Sequence, residues 1–200
     1  HLSACMAQCG YHVTLLDFSA NALEKSRQTF EKYGLEGKFI QGDLLDLSDL
    51  SDQYDLMWNS GVMERFSEED FVGILRSVRG ASHGAPFLFV VPNPESRAYL
   101  MMRFNQYSQD SWSYGKEYVR RDYKKLCADA GFVIEDMSYC SKDIAKWLFT
   151  STFTGTEKSG IYPSMMDAGL FPDSEQYLIA YLLKENSVGK DGAAIGESVV

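Results

Sequence analysis

Long apolar runs are missing from this chain. The longest stretches, such as "APFLFVV", reach strand length only, so no membrane-spanning helix is predicted and nothing resembles a signal peptide. Positive charge is also scarce. Lys and Arg number 19 against 28 Asp and Glu, a net charge of −9, and the isoelectric point is near 4.8. Such a balance disfavours a broad footprint for phosphate backbones and therefore nucleic acid as a partner. Histidine occurs three times and cysteine four times, with no CxxC pair and no histidine at ligand spacing from a cysteine. A zinc site is thereby excluded from the expectations, and Cys5, Cys9, Cys127 and Cys140 are expected as reduced, buried thiols. What remains is ordinary globular composition, 45% hydrophobic and rich in rings, over 200 residues: enough for one domain with a sizeable core. The expected location is cytoplasmic.

Along the chain, strand and helix signals alternate. Residues 2–10 read as a helix stopped by Gly10, and "HVTLLD" as a strand buried on both faces of a parallel sheet. Ser19 can cap a helix that places Leu23, the Arg27 stem and Phe30 on one side, with Gly34 as its stop. "GKFIQGD" and "YDLMWNSGV" are further strands. "SEED" at 67–70 is a capping-box-like start, followed by Phe71, Ile74, Leu75 and Val78 at helical spacing. "APFLFVVPN" is an apolar strand. Val119, Tyr123, Leu126, Cys127 and Ala130 form another helical stripe, ended by Gly131 before the strand "FVIEDMSYC". Residues 141–174 read as an irregular insertion, "EQYLIAYLLK" as a last strand, and 186–200 as a disordered tail. No internal repeat is visible. The predicted fold is α/β: a mostly parallel sheet with helices on both faces, forming one domain over 1–185.

In such folds ligands sit beyond the carboxyl ends of the strands, where Asp17, Asp43 and "NSG" all fall. Asp17 offers two oxygens to two ribose hydroxyls, or else is a turn residue favouring the next helix. Asp43 in "QGDLLDL" could read an adenine edge, or cap its loop. Gly61 lets the chain approach a ligand closely, or serves a tight turn before the next helix. His12 and His83 read as structural and surface-turn residues, and "VRRDYKK" as a solvated face.

Together "LLDFS", "FIQGDLLDL" and "YDLMWNSGVMERF" resemble the acidic, adenine-side and fourth-strand motifs of the class I S-adenosylmethionine-dependent methyltransferases, a Rossmann-like family. "VPNPES", "WSYGKE" and "RRDYKKLCADAGFVI" resemble a small-molecule subgroup, so the likeness covers about residues 2–139, and the final strand fits as antiparallel. The resemblance implies S-adenosylmethionine as cofactor, with Asp17 on its ribose and Phe18 beside the adenine. Asp43 and Leu44 would contact adenine, and Asn59, Ser60 and Gly61 would line the methionine side. It implies methyl transfer to a small molecule, with Glu64 as the nominee for a base. Arg65, which stands where the family often has His, would face the substrate with Tyr99, Tyr107, Trp112 and Tyr114. The rings at 99, 107, 112, 114 and 118 could also be lid and core packing, or steady the sulfonium. Asn93-Pro94 is not the amide-methylating motif, which belongs after the fourth strand. The family's first strand and glycine-rich loop would precede His1, so the chain is expected to begin in mid-domain and to bind cofactor weakly by itself. A non-catalytic methyltransferase-like binding or assembly domain is the alternative, and a nicotinamide-dependent oxidoreductase a more distant one. The acceptor and the oligomeric state stay open.

Overall fold

The computed structural model describes residues 2–109, 115–118, 120–152, 164–165 and 167–186. The chain divides into two compact units, His1–Asp52 and Gln53–Val200.

The first unit runs α1 (Leu2–Gln8), β1 (Thr14–Asp17), α2 (Ala20–Lys32) and β2 (Lys38–Gln41). Gly10, with φ +92°, ends the first helical segment in a conformation that an L side chain resists. Strands β1 and β2 pair in parallel, Thr14 opposite Lys38 through Asp17 opposite Gln41. Ser19 caps α2 as expected: its Oγ accepts from the Ala22 N–H at 3.3 Å. Leu23 and Phe30 form the buried stripe of α2. The Phe30 ring meets Phe39 edge-on, and Arg27 lies over Phe39. Two expectations are corrected in this unit. The β1 residues are half-buried instead of fully buried, because β1 has a single neighbour in its two-stranded sheet. Cys5 and Cys9 are exposed, since α1 buries only Ala4.

The second unit opens with β3 (Met57–Ser60) and a 3₁₀ turn, Met63–Arg65. Then follow α3 (Glu68–Ser82), β4 (Phe87–Pro92), α4 (Arg97–Ser108), α5 (Lys124–Asp129), β5 (Phe132–Cys140), α6 (Lys142–Thr152) and β6 (Leu178–Glu185). The sheet order is β3-β4-β6-β5, with β3 and β4 parallel and β6 antiparallel to both neighbours. That final antiparallel strand is the one the motifs imply. Ser67 caps α3 by accepting from the Asp70 N–H at 3.1 Å and returns its own hydroxyl to the Asp70 carboxylate at 2.8 Å. Phe71, Ile74, Leu75 and Val78 are buried along one stripe, as their spacing predicts.

The core of this unit is aromatic. Phe89 is fully buried, stacked on Tyr181 at 4.9 Å between ring centroids and edge-on to Phe71 and Tyr123. Burial pushes the Tyr181 phenol up to about 12. It does the same to the Cys127 thiol, which makes that buried sulfur an unreactive neighbour of the core.

Helices appear in two stretches where no helix was expected. Residues 97–108 form α4, capped by Ser96, and 142–152 form α6. They pack through Ala98, Tyr99 and Met102 against Ala145 and Leu148. The period was hidden because exposed Leu100, Phe104, Ile144 and Trp147 interleave with the buried stripe. Conversely, the helix after residue 119 is shorter than its pattern: Tyr123 and Ala130 flank it as caps. Asp122 closes its start by accepting from the Lys124 N–H at 2.8 Å. Val119, Trp112, Tyr114 and the tail beyond 186 lie outside the described residues.

Candidate functional site

In the first unit the two acids named by the sequence end their strands. Asp17 closes β1, and its Oδ1 accepts from the Ser19 N–H at 2.9 Å. Among the described residues Oδ2 takes no hydrogen bond, so one carboxylate oxygen stays open to a ligand hydroxyl. The turn role and the ligand role are therefore compatible, one oxygen for each. The Phe18 ring beside it is exposed, and the Phe18 carbonyl accepts from Gln41 Nε2 at 3.1 Å, which ties the two strand ends together. Asp43 is exposed and accepts from the Leu45 N–H at 3.0 Å. Leu44 is half-buried. Each acid is oriented by a backbone N–H two residues on, a geometry that Asp adopts by itself in turns.

In the second unit β3 delivers Asn59 and Ser60 to a turn at Gly61, whose N–H donates to the Val90 carbonyl at 3.0 Å. Gly61 has φ +71°, so the turn needs glycine there. Both polar atoms of the Asn59 amide are buried, and neither has a hydrogen-bond partner among the described residues. An amide left in that state costs about 1–3 kcal/mol for each unsatisfied group unless something else fills it. The observation fits a polar ligand at the carboxyl end of β3, where an open α/β sheet receives one.

The 3₁₀ turn then brings Glu64 inward. It is 4% exposed, and a Cβ added at Gly61 would stand 3.7 Å from its Oε1. Burial pushes its carboxyl up to about 7, against the opposing pull of its own backbone N–H and of Arg65; Glu117 adds to the rise. Arg65 lies 3.7 Å from Glu64 Oε1 through Nε and 3.5 Å from Glu117 Oε1 through Nη2. Glu117 is itself buried. Its Oε2 accepts from the Tyr99 hydroxyl at 2.6 Å, with Arg103 Nε 3.8 Å away. Arg103 also donates to the Tyr99 and Tyr107 hydroxyls at 3.1 and 3.3 Å. Backbone joins the two segments beside the network: the Tyr118 N–H donates to the Glu64 carbonyl at 2.7 Å, one residue after Glu117.

Of the substrate-side residues expected from the sequence, Arg65, Tyr99 and Tyr107 share this network. Tyr99 does so as a core residue and not as part of an irregular lid: its ring is 1% exposed and packs on Tyr177. Burial and the bond to Glu117 raise its phenol well above the usual tyrosine range, so it stays a donor. Glu117 and Arg103 are functional candidates that sequence reasoning passes over. The stretch "WSYGKE" attracts notice for its rings, whereas its glutamate is the group the structure buries and pairs. Among the described residues no group of three or more His, Cys, Asp or Glu could hold a metal ion.

Comparison with known proteins bears on the fold. Residues 1–82 match the family described as "Methyltransferase domain". The chain is similar in structure to magnesium protoporphyrin IX methyltransferase from Synechocystis PCC 6803 with bound SAH, at 16% identity and a TM-score of 0.58, covering 92% of this chain and 68% of that one. It is also similar to the protein of a structure titled "Conversion of a Disulfide Bond into a Thioacetal Group during Echinomycin Biosynthesis", at 17% identity and 0.62, covering 91% and 70%. A third, titled "A Pericyclic Reaction enzyme", shares the fold at 13% identity and 0.53, covering 87% and 36%. No curated protein sequence matches significantly. The resemblance to class I S-adenosylmethionine-dependent methyltransferases drawn from the motifs is borne out: the fold is theirs, and residues 1–82 carry the methyltransferase-domain match. Among the described residues no helix is long and apolar enough to cross a membrane.

Proposed function

We propose that this chain transfers a methyl group from S-adenosylmethionine to a small-molecule acceptor. The observation that carries the reading is the Asn59 amide, buried with donor and acceptor both unanswered beside the glycine turn of β3, within a fold whose family binds this cofactor at its strand ends. In this reading Asp17 holds the ribose through its open oxygen and the exposed Phe18 ring lies along the adenine. Asp43 and Leu44 meet the adenine edge, while Asn59, Ser60 and Gly61 take the methionine side. When bound, the cofactor supplies a methyl carbon already activated by its sulfonium. The protein's contribution is then orientation and exclusion of water, which can lower the barrier by about 7–11 kcal/mol in well-ordered systems.

The test is titration calorimetry of the full chain with S-adenosylhomocysteine, followed by assay of methyl transfer from deuterium-labelled S-adenosylmethionine. Binding is expected, and Asp17→Ala is expected to weaken it at least tenfold while leaving thermal stability nearly unchanged. No binding by the unaltered chain would remove this reading. Binding without transfer to any acceptor would favour a domain that keeps the cofactor for binding or assembly.

A further inference from the structure

The last turn of α1 gathers sulfur. Cys5, Met6 and Cys9 follow one another closely in "CMAQC"; both thiols are free and exposed, and Met6 is half-buried. The backbone that carries them is fixed. The Cys9 N–H donates to the Cys5 and Met6 carbonyls at 3.1 and 3.0 Å, and beyond it the Gly10 and Tyr11 N–H groups donate back to Ala7 and Met6 at 2.9 and 3.2 Å. Such a pair of bonds around a left-handed glycine is the Schellman closure, which satisfies the final carbonyls of a helix and holds its end in register. Cys5 and Cys9 are therefore neighbours one turn apart, and Met6 stands three residues before Cys9. Residues three or four apart on a helix have Cβ atoms about 5–6 Å from each other.

That spacing decides what the sulfurs can do. A disulfide needs Cβ atoms about 3.5–4.5 Å apart, closer than a closed helical turn brings them. A metal ion between two thiolates asks for less, because two metal–sulfur bonds of about 2.3 Å allow the sulfurs to stand up to about 4.6 Å apart. The donor set then selects the ion. Structural zinc and iron–sulfur clusters take four ligands, and among the described residues no group of three or more His, Cys, Asp or Glu could hold a metal. Two thiolates and a thioether are soft donors, which suit copper(I). A cation is also favoured at the C-terminal end of a helix, and α1 has no basic residue in its last turn to compete for that place. We propose that Cys5 and Cys9 bind one copper(I) ion as thiolates, with the Met6 thioether as third ligand. Two S–H groups release their protons to solvent as two sulfur–copper bonds form, and the metal stays copper(I) throughout. The site shares no residue with the methyltransferase reading and stands or falls apart from it.

The test is anaerobic competition for copper(I) between the full chain and the chromophoric chelator bicinchoninate. Size-exclusion chromatography and X-ray absorption at the copper edge are run on the loaded protein. One copper(I) per monomer is expected, with a first shell of sulfur alone. Cys5→Ser or Cys9→Ser is expected to weaken binding at least hundredfold and Met6→Leu at least threefold, whereas Cys140→Ser should change it less than twofold. No retained copper, a shell containing nitrogen or oxygen, one ion shared between two chains, or an affinity that survives Cys5→Ser, Cys9→Ser or Met6→Leu overturns the proposal. The two thiols are exposed, so the serine variants are expected to keep their circular dichroism. If one does not fold, the stoichiometry and the copper shell of the unaltered chain decide alone.

Discussion

The acids at the ends of β1 and β2 and the acids flanking Arg65 use one functional group in opposite ways. Asp17 and Asp43 lie at the surface of the first unit, each steered by a backbone N–H two residues on and each leaving capacity for a ligand. Glu64 and Glu117 are buried in the second unit and answered by side chains from separate segments: Arg65 from the turn, Tyr99 and Arg103 from α4. The first arrangement costs little and leaves carboxylate oxygens at the surface; the second keeps charge out of water and raises the Glu64 carboxyl.

The strongest way to break the contrast is to wet the buried region. Phe89 supports Tyr123, whose phenol feels the Glu64 charge, and Phe89 is fully enclosed by Phe71, Tyr123 and Tyr181. Phe89→Ala is expected to destabilise the second unit by about 3–5 kcal/mol, since it removes a large buried ring and leaves a cavity that a sheet position cannot collapse. Urea denaturation followed by tryptophan fluorescence reads it. A loss under about 1 kcal/mol would mean that the aromatic cluster is loosely packed and that burial of Glu64 does not depend on it.

Next in size is a pH effect that belongs to the buried Glu64. Glu64 has an ordinary value of 4.5 when exposed and about 7 in the folded chain. The folded state therefore binds the extra proton between those values, and stability falls as pH rises from about 4.5 to about 7, then levels off. The full drop corresponds to about 3 kcal/mol at 1.36 kcal/mol per pKa unit. The charged groups facing Glu64 are Arg65 on its own turn, Glu117 from the segment before α5, and the Tyr123 phenol at the start of α5. Glu64→Gln is expected to flatten this part of the stability profile, measured by urea midpoints between pH 4.5 and 8. An unchanged slope in the variant would place Glu64 in contact with water and end the contrast with Asp17.

The same division explains what could be read from the sequence. The order of strand and helix signals, the caps at Ser19 and Ser67 and the buried stripe of α3 follow from periodicities and partners within a few residues, and each was legible; the antiparallel last strand was implied by the family resemblance alone. The positions of Asp17 and Asp43 at or just after strand ends were legible for that reason too, as was the turn at Gly61. Glu117 was not, because nothing within its own stretch announces Tyr99, Arg103 or Arg65; the pairing exists only once α4 and the 3₁₀ turn are folded. Helix α4 was missed because exposed rings on its outer face blur the apolar stripe that Ala98, Tyr99 and Met102 make. Exposed Cys5 in α1 and Cys9 just after it show the converse error, in which an apolar neighbourhood in sequence does not become one in space.

The smallest expected effect sharpens the surface side of the contrast. Ser19 caps α2 through one hydroxyl bond of 3.3 Å to the Ala22 N–H, at the long end for such a contact. Its backbone N–H, not its side chain, holds Asp17. Ser19→Ala therefore removes the cap and keeps Asp17 in place, so a loss of about 0.5–1 kcal/mol is expected, at the low end for N-cap removal. The affinity for S-adenosylhomocysteine should change less than twofold. Thermal melts and calorimetry on the one variant check both halves. A tenfold loss of affinity would show that Asp17 is positioned through the Ser19 hydroxyl after all, and the surface acids would then share the dependence on side-chain partners that sets the buried pair apart.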